Sequence, residues 1–349
     1  MKIALYITED TNYVELANTI KNTILTINPE TILIEIEDKH LSANNWLETS
    51  NLFPKNNLKC IIAVGDTGTF LRAIFHVRSN IPVIAASIEK ISFFTEITPN
   101  NLYEALQAIL TDKYFIDQYN RIEIRDPRSK VTFSALNEIA IFPNESARLM
   151  NYTLVIDDDV LYRSCRADGL IISTALGSTG YALSSGGPIA YGDPEILIVI
   201  PVNPLDKDHS PVVVPINSAI KIVNVEARSS LGLILDGQLR IPIEEEVSIR
   251  KSNISVGIVR FESKRNLVAR LRKRLVEQDL RLLEGVPPSA KYIFKLLLTE
   301  GEMTQKELIE STGLPNRTVR NALSILKEKG SIMQRAYLKD ARQSIYFVS

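Results

Sequence analysis

The sequence predicts three successive modules: a doubly wound α/β domain, a mainly antiparallel β domain, and a small helical domain closed by a β-hairpin. Three observations predict them. Up to about residue 117, β-branched apolar runs alternate with stretches of helical periodicity. From residue 118 these give way to short alternating segments separated by Pro, Gly, Asn and Asp. Beyond residue 288 the chain carries capping signals at short intervals and ends in two strand-like runs. A chain of 349 residues also exceeds what one hydrophobic core organises.

In the first module, strands are expected at Ile3–Ile7, Ile32–Ile36, Lys59–Val64 and Val83–Ala86, with helices at Tyr13–Leu25 and Phe70–Val77. Buried β-branched runs joined by helices imply parallel pairing. The glycine-containing loop Val64-Gly65-Asp66-Thr67-Gly68-Thr69 then falls at a strand's carboxyl end, the edge at which open α/β sheets bind ligands. In the second module (residues 118–265) the strand-like segments are Arg121–Arg125, Val131–Ile141, Tyr152–Ile156, Ile196–Pro201, Ala219–Val225, Gly232–Leu235 and Ile254–Phe261. This layer is expected to stack on the first, with the ligand between them.

Asn266–Glu284 reads as a helix with Val268, Leu271, Leu275 and Leu282 on one stripe, stopped by Gly285 and Pro287-Pro288. It either closes the second module or connects two subunits; residues 266–288 form the linker. In residues 289–349, Ser289 is expected to cap a helix running to Glu300. Thr304-Gln305-Lys306-Glu307 is a capping box opening a second helix that ends near Thr312-Gly313. A third helix runs from Arg317 to Lys329, and strands at Ile332–Leu338 and Ser344–Val348 flank the turn Lys339-Asp340-Ala341-Arg342.

Composition narrows the function classes. The formal net charge is −1, which gives the whole chain no reason to bind a polyanion, yet residues 289–349 hold ten Lys/Arg against six Asp/Glu. Cys60 and Cys165 are too few for a disulfide scaffold and lack metal-ligand spacing, which points to a reduced cytoplasm. No leader pattern and no bilayer-length apolar run is read, so a soluble, cytoplasmic protein without a membrane partner is expected. His40, His76 and His209 do not cluster with nucleophile or ligand patterns and are expected to be structural or superficial; no metal site is read.

The most specific stretch is Ala167 to Ile189. Gly177-Ser178-Thr179-Gly180-Tyr181 is a small-residue turn whose backbone N–H groups and hydroxyls can approach a planar or phosphorylated ligand, and Gly186-Gly187 makes a second tight turn. With Asp168-Gly169 before the strand and Gly186-Gly187-Pro188-Ile189 after the turn, this stretch resembles the nucleotide-binding core of the NAD kinase family. Asn137-Glu138, at the matching distance before Asp168, resembles the family's Asn-Glu pair, and Asp236-Gly237-Gln238 its Asp-Gly-Gln turn. The resemblance covers roughly residues 135–240, with weaker agreement back to residue 1.

The resemblance implies an NAD kinase-like fold for the first two modules and NAD or NADP as ligand. It places Thr179, Gly180, Tyr181 and Ser184 beside the adenine or ribose, Asn137 and Glu138 on ribose hydroxyls and amide groups, and Asp168 on a nicotinamide amide, in a neighbouring subunit or the same one. It also implies a homodimer or homotetramer. Gly65, Gly68 and Thr69 would belong to the loop that presents backbone amides to phosphates. Here the chain departs from the family's Gly-Gly-Asp-Gly-Thr. Anchored on Thr69-Phe70-Leu71-Arg72-Ala73, the family's Asp position holds Thr67; with Thr67 as a one-residue insertion, Asp66 keeps the catalytic role. The family's next glycine-rich segment is replaced by Ala85 to Phe93, where Glu89 would face phosphate.

The helix order of residues 289–349 resembles a winged helix-turn-helix domain. Such a domain would place Asn316, Arg317, Thr318, Arg320 and Asn321 in the major groove of double-stranded DNA and Arg335, Lys339 and Arg342 on a wing. Two functions from different classes follow. In the first, an NAD kinase-like body with an altered phosphoryl-transfer loop senses NAD(H) or NADP(H) and regulates transcription through its winged helices. In the second, the chain is an active NAD kinase that phosphorylates the 2′-hydroxyl of NAD with ATP and Mg²⁺, Asp66 serving as base, under regulation by its winged helix. A lipid or sugar kinase is disfavoured by Asn137-Glu138 and Thr179–Tyr181. On the altered loop, the sequence favours the first function.

Overall fold

The structure, a computed structural model, describes residues 1–38, 53, 58–77, 80–88, 93–125, 131–145, 148–192, 194–243, 246–261, 285–336 and 344–348. It divides into two compact units, Met1–Leu267 and Val268–Ser349.

The first unit opens on a mostly parallel sheet in the order β2-β1-β3-β4-β19-β6, with β5 also paired to β4. Its strands are β1 (Lys2–Ile7), β2 (Ile32–Glu37), β3 (Leu58–Val64), β4 (Val83–Ala86), β5 (Thr95–Ile97), β6 (Phe115–Tyr119) and β19 (Val256–Arg260). β1, β3 and β4 are the near-continuous apolar runs seen in the sequence, because a strand covered on both faces needs no polar alternation. Helix α1 (Thr11–Ile27), capped by the Asp10 carboxylate, and α3 (Leu102–Leu110) cover one face through Leu16, Ile20, Ile24 and Leu106. Helix α2 (Thr67–His76) covers the other through Phe70, Ala73 and Ile74. Helices on both faces make this the doubly wound layer that the alternation predicts.

The second layer is a sandwich of two six-stranded antiparallel sheets. One, in the order β11-β10-β15-β18-β7-β8, comprises β7 (Ile122–Arg125), β8 (Thr132–Ala135), β10 (Met150–Ile156), β11 (Asp159–Ala167), β15 (Ile220–Ala227) and β18 (Val247–Lys251). The other, in the order β14-β13-β12-β9-β16-β17, comprises β9 (Glu138–Pro143), β12 (Gly169–Thr174), β13 (Ile196–Val202), β14 (Val212–Pro215), β16 (Leu231–Leu235) and β17 (Leu239–Ile243). Tyr152 and Leu154 from the first sheet meet Ile172 and Val199 from the second in one apolar core, and a short helix, α4 (Tyr181–Ser184), lies between β12 and β13 in the chain.

One strand expected in the β module lies elsewhere. Val256–Arg260 runs parallel to β4 and antiparallel to β6, so the chain returns to the first sheet before leaving the unit. The reason is legible in its composition: all five residues are buried, and Arg260 at its end pairs with Glu96 of β5 at 2.9 Å. A half-exposed sandwich strand would alternate instead.

The second unit contains α5 (Pro288–Glu300), β20 (Met303–Thr304), α6 (Gln305–Thr312), α7 (Asn316–Glu328), β21 (Ile332–Ala336) and β22 (Ser344–Val348), the strands ordered β20-β22-β21. Ile293, Phe294, Leu297, Leu308, Leu323 and Leu326 are at its core. The expected capping box is present: the Thr304 side chain accepts from the Glu307 N–H, the Glu307 carboxylate accepts from the Thr304 N–H, and α6 ends in a left-handed Gly313. The expected Ser289 cap is corrected. Pro288 occupies the first helical position, where its fixed φ fits and its missing N–H costs nothing, so the helix starts two residues earlier. The short strand β20, paired to β22, was not read from the sequence; two residues carry no periodicity. The Asn266–Glu284 helix, the Lys339–Arg342 turn, His40 and Glu89 lie outside the described residues. Among the described residues no helix is long and apolar enough to cross a membrane. Cys60 and Cys165 are buried free thiols.

Candidate functional site

Two corners within the first unit build the site. The first is the turn from β3 into α2. Gly65 is buried there, and a Cβ on it would lie 2.3 Å from the Thr69 hydroxyl oxygen, so no side chain fits. Asp66 is the N-cap of α2: its Oδ1 accepts the Thr69 N–H at 2.8 Å and the Thr69 hydroxyl at 3.0 Å. Thr67 is the first helical residue, and both Asp66 and Thr67 are exposed. The helix therefore starts directly after Asp66, leaving this carboxylate at an exposed, electropositive N-terminus.

The second corner joins Leu136-Asn137-Glu138 to Thr174–Tyr181. The Asp236 carboxylate accepts three consecutive backbone N–H groups, from Leu136 at 2.7 Å, Asn137 at 2.7 Å and Glu138 at 3.1 Å. On the other side, the Thr174 hydroxyl donates to the Leu136 carbonyl at 2.7 Å and the Ser173 hydroxyl to the Asn137 carbonyl at 3.2 Å. A Cβ at Gly177 would sit 2.3 Å from that same Asn137 oxygen, so the two loops touch backbone to backbone. Ser178 holds the return loop by accepting the Ala190 N–H at 3.0 Å.

Glu138 is the chemically unusual group. Its Oε2 is buried and, among the described residues, has no hydrogen-bond partner, and it lies 3.6 Å from where a Cβ on Gly180 would project. Burial first, and then the charge of Asp236, pushes its carboxyl up to about 8. Burial also raises Asp236, opposed by its three backbone donors and by Arg121. Thr179 is buried beside this corner, whereas Tyr181 and Ser184 are exposed, with the Tyr181 ring stacked on Phe142 at 5.9 Å.

The two corners are tied together by Arg72, one turn into α2. Its Nε donates to the buried Asp38 carboxylate at 2.8 Å, which also accepts the Tyr6 hydroxyl at 2.7 Å, and its Nη1 donates to Gln238 Oε1. Gly68 lies in the gap between them: a Cβ there would be 3.0 Å from Arg72 Nη1 and 3.3 Å from both Asp66 Oδ1 and Gln238 Oε1. Arg72 and Gln238 thus join the loop glycines, Asp66 and Thr69 to the corner of Asn137, Glu138, Thr179 and Gly180, and the candidate crevice is this junction of the α/β layer with the sandwich.

Asp168 does not join them. It stands at the opposite end of β12 from Thr174, roughly 20 Å away at strand rise, and accepts from the Asn203 amide at 2.9 Å. His76 is buried against Tyr6, and His209 packs on Tyr162 at 4.7 Å, away from either corner. Among the described residues no three His, Cys, Asp or Glu side chains cluster as metal ligands. Sequence reasoning missed the tying residues. Asp236 was read as turn chemistry, Arg72 served only to align the loop, and Asp38 gave no signal, because a single Asp after a strand has no pattern of its own.

Comparison with known proteins agrees with this geometry. The family model for the ATP-NAD kinase N-terminal domain matches residues 8–114 and that for the ATP-NAD kinase C-terminal domain residues 136–261. An NAD kinase of Pyrococcus furiosus is 34% identical over 206 residues, 58% of this chain and 73% of that protein. One of Methanosphaera stadtmanae is 29% identical over 249 residues, 70% of this chain and 89% of that protein. Among solved structures, an NAD kinase from Archaeoglobus fulgidus in complex with ATP superposes with a TM-score of 0.62 at 25% identity, covering 78% of this chain and 99% of its own. A yeast NADH kinase complexed with NADH shares the fold, with a TM-score of 0.64 at 19% identity. Two matched domains in the right order, relatives covered over most of their length and the paired corners of the crevice lead to one conclusion: the chain belongs to the NAD kinase family.

Proposed function

We propose that this chain is an active NAD kinase, transferring the terminal phosphoryl group of ATP to the adenosine-ribose 2′-hydroxyl of NAD. The observation that carries the reading is the Gly68 gap, where the exposed Asp66 carboxylate and the Gln238 amide of the Asp-Gly-Gln turn stand within 3.3 Å of one point. A phosphate loop at one wall and a dinucleotide corner at the other is the arrangement that phosphoryl transfer requires, because its catalysis is chiefly positioning and charge stabilisation. Relatives covered over most of their length are NAD kinases, and this favours turnover over the sensing role that the altered loop suggests from sequence.

In this reading Asp66 carries the base or orienting role, and Thr67 is the inserted residue, absorbed as the first residue of α2. Asp66 Oδ1 is held by Thr69, which fixes the carboxylate while Oδ2 receives the ribose hydroxyl. The N-terminus of α2 faces the dinucleotide phosphates. Asn137 and Glu138 hold ribose and amide groups, and Thr179 and Gly180 border the adenosine. Mg²⁺ would be carried in with the ATP phosphates. Asp168, remote from the crevice of its own chain, serves the site of a neighbouring subunit in a homodimer or homotetramer.

We read the helix-strand-helix-helix-strand-strand order of the second unit as that of a winged helix-turn-helix and propose it as an appended regulatory module. Incubation of the full chain with NAD⁺, ATP and Mg²⁺, followed by chromatographic separation of the nucleotides, tests the kinase reading. NADP⁺ is expected to accumulate over many turnovers; tight dinucleotide binding with no NADP⁺ would restore the sensing role.

A further inference from the structure

The second unit presents a polar helix face on which cations outnumber carboxylates, three to one. α7 buries Val319, Ala322, Leu323 and Leu326 in the unit's core. Its opposite face exposes Arg317, Arg320, Asn321, Ser324 and Lys327, spaced so that they lie on a single stripe. Among the described residues, Arg317, Arg320 and Lys327 make no ion pair. Of the unit's described carboxylates, Glu302 pairs with Arg335, Glu310 with Lys306 at 3.9 Å and Glu307 is held in the capping box, while Glu328, exposed at the end of α7, accepts from Ser324 at 3.3 Å. Residues 289–349 keep ten Lys/Arg against six Asp/Glu.

We infer that this stripe is a duplex DNA-binding surface, with α7 seated in the major groove. Two guanidinium forks and an amide near the helix N-terminus suit base edges, and Lys327 toward its end suits phosphate. A helix of 13 residues is about 20 Å long and fits a groove about 12 Å wide. An acidic protein partner fits less well, since protein interfaces centre on buried aromatic and Arg anchors and α7 carries no aromatic side chain. Among the described residues, the unit's exposed large apolar side chains, Tyr292 and Met333, lie off α7. The same lack of apolar residues argues against a membrane surface.

The structure also revises which residues read bases. Asn316 Oδ1 accepts from Gln305 at 2.8 Å, so its side chain braces the start of α7 against α6. Thr318 is half-buried. Arg335 is paired with Glu302 and lies over the Phe347 ring, so it belongs to the hairpin's own packing. Lys339 and Arg342 lie outside the described residues. Base contact falls to Arg317, Arg320 and Asn321.

This inference is independent of the kinase reading, because its readout is DNA binding by the full chain whatever that chain does to NAD. Fluorescence anisotropy of a labelled 30-bp mixed-sequence duplex is followed at 50 and 200 mM KCl. Binding in the micromolar range at low salt is expected, weakening about 40-fold over that salt range if three phosphates are neutralised. R317A/R320A, exposed and outside the core, should weaken binding at least tenfold with an unchanged melting curve. R163A/K207A, which removes cations from the first unit, should bind as the parent does. No binding at 100 μM protein in low salt would overturn the inference. So would parent-like binding by R317A/R320A, loss of binding in R163A/K207A, or equal preference for single-stranded DNA.

Discussion

Asp236 and Glu138 clamp each other through their main chains: the Asp236 carboxylate accepts the Glu138 N–H at 3.1 Å while the Glu138 carbonyl accepts the Asp236 N–H at 3.0 Å. With the Leu136 and Asn137 N–H groups on the same carboxylate, the clamp fixes the corner that presents Asn137 and Glu138 to the crevice. It also places two carboxyl groups close together in a buried setting, and several consequences can be measured.

Asp236→Asn keeps the size of the side chain but replaces an acceptor oxygen by a donor facing backbone N–H groups. Loss of charge-assisted bonds at a buried site costs about 2–3 kcal/mol. The melting transition of the first unit should fall, and NAD affinity with it, whereas Asp236→Glu should restore neither, being one methylene too long for the corner.

Glu138 gives stability a defined pH dependence. With its carboxyl pushed up to about 8, the native state holds a proton that the unfolded chain releases near 4.5. Between those values the native state binds more protons, so stability falls as pH rises, by at most about 1.4 kcal/mol per pH unit. Below about 4.5 both states are protonated and the effect vanishes. Glu138→Gln, neutral at every pH, should therefore be more stable than the parent at pH 8 and indistinguishable at pH 4.5 in denaturant melts. Its NAD affinity should drop, since an amide replaces the carboxyl group proposed to face the ribose.

Two glycines of one loop should respond differently to the same methyl group. Gly177→Ala places a Cβ 2.3 Å from the Asn137 carbonyl oxygen, and the backbone must move; a loss of about 2–4 kcal/mol and of NAD binding is expected. Gly180→Ala meets its nearest atoms at 3.2 and 3.6 Å and has a negative φ, so stability should change by less than about 1 kcal/mol. Thermal melts of the two variants side by side decide this.

Arg72 joins the two walls of the crevice, so its removal should loosen the site without touching substrate. Arg72→Lys cannot serve both Asp38 and Gln238 with a planar fork. A fall in kcat/KM of about 10- to 100-fold is expected from misplacement of the loop by an ångström or less, with Gln238→Ala showing the milder form.

The distribution of legible features follows from how local each signal is. Strands β1, β3 and β4, helices α1 and α2, and the Thr304–Glu307 cap are written in runs of neighbouring residues, and the sequence reading places them within a few positions. The Asn137-Glu138 and Gly177–Tyr181 segments were legible through family resemblance, not through chemistry visible in the residues themselves. β19 was assigned to the wrong layer because its partner strands, β4 and β6, lie more than 130 residues earlier, although its unbroken burial is a usable clue. Asp38, Arg72 and Gln238 were illegible as a group, since they come together only when three distant turns fold onto one gap.

The central claim, that Asp66 is the working carboxylate of a kinase whose loop carries Thr67 as an absorbed insertion, is tested most directly by comparing Asp66→Asn and Thr67→Ala for NADP⁺ formation, with NAD⁺ affinity measured on the same samples by titration calorimetry. The account predicts a fall in kcat of at least about 100-fold for Asp66→Asn, NAD⁺ affinity within a few-fold of the parent, and near-parental turnover for Thr67→Ala. Full activity in Asp66→Asn with loss in Thr67→Ala would contradict it, as would a parent protein that binds NAD⁺ and makes no NADP⁺.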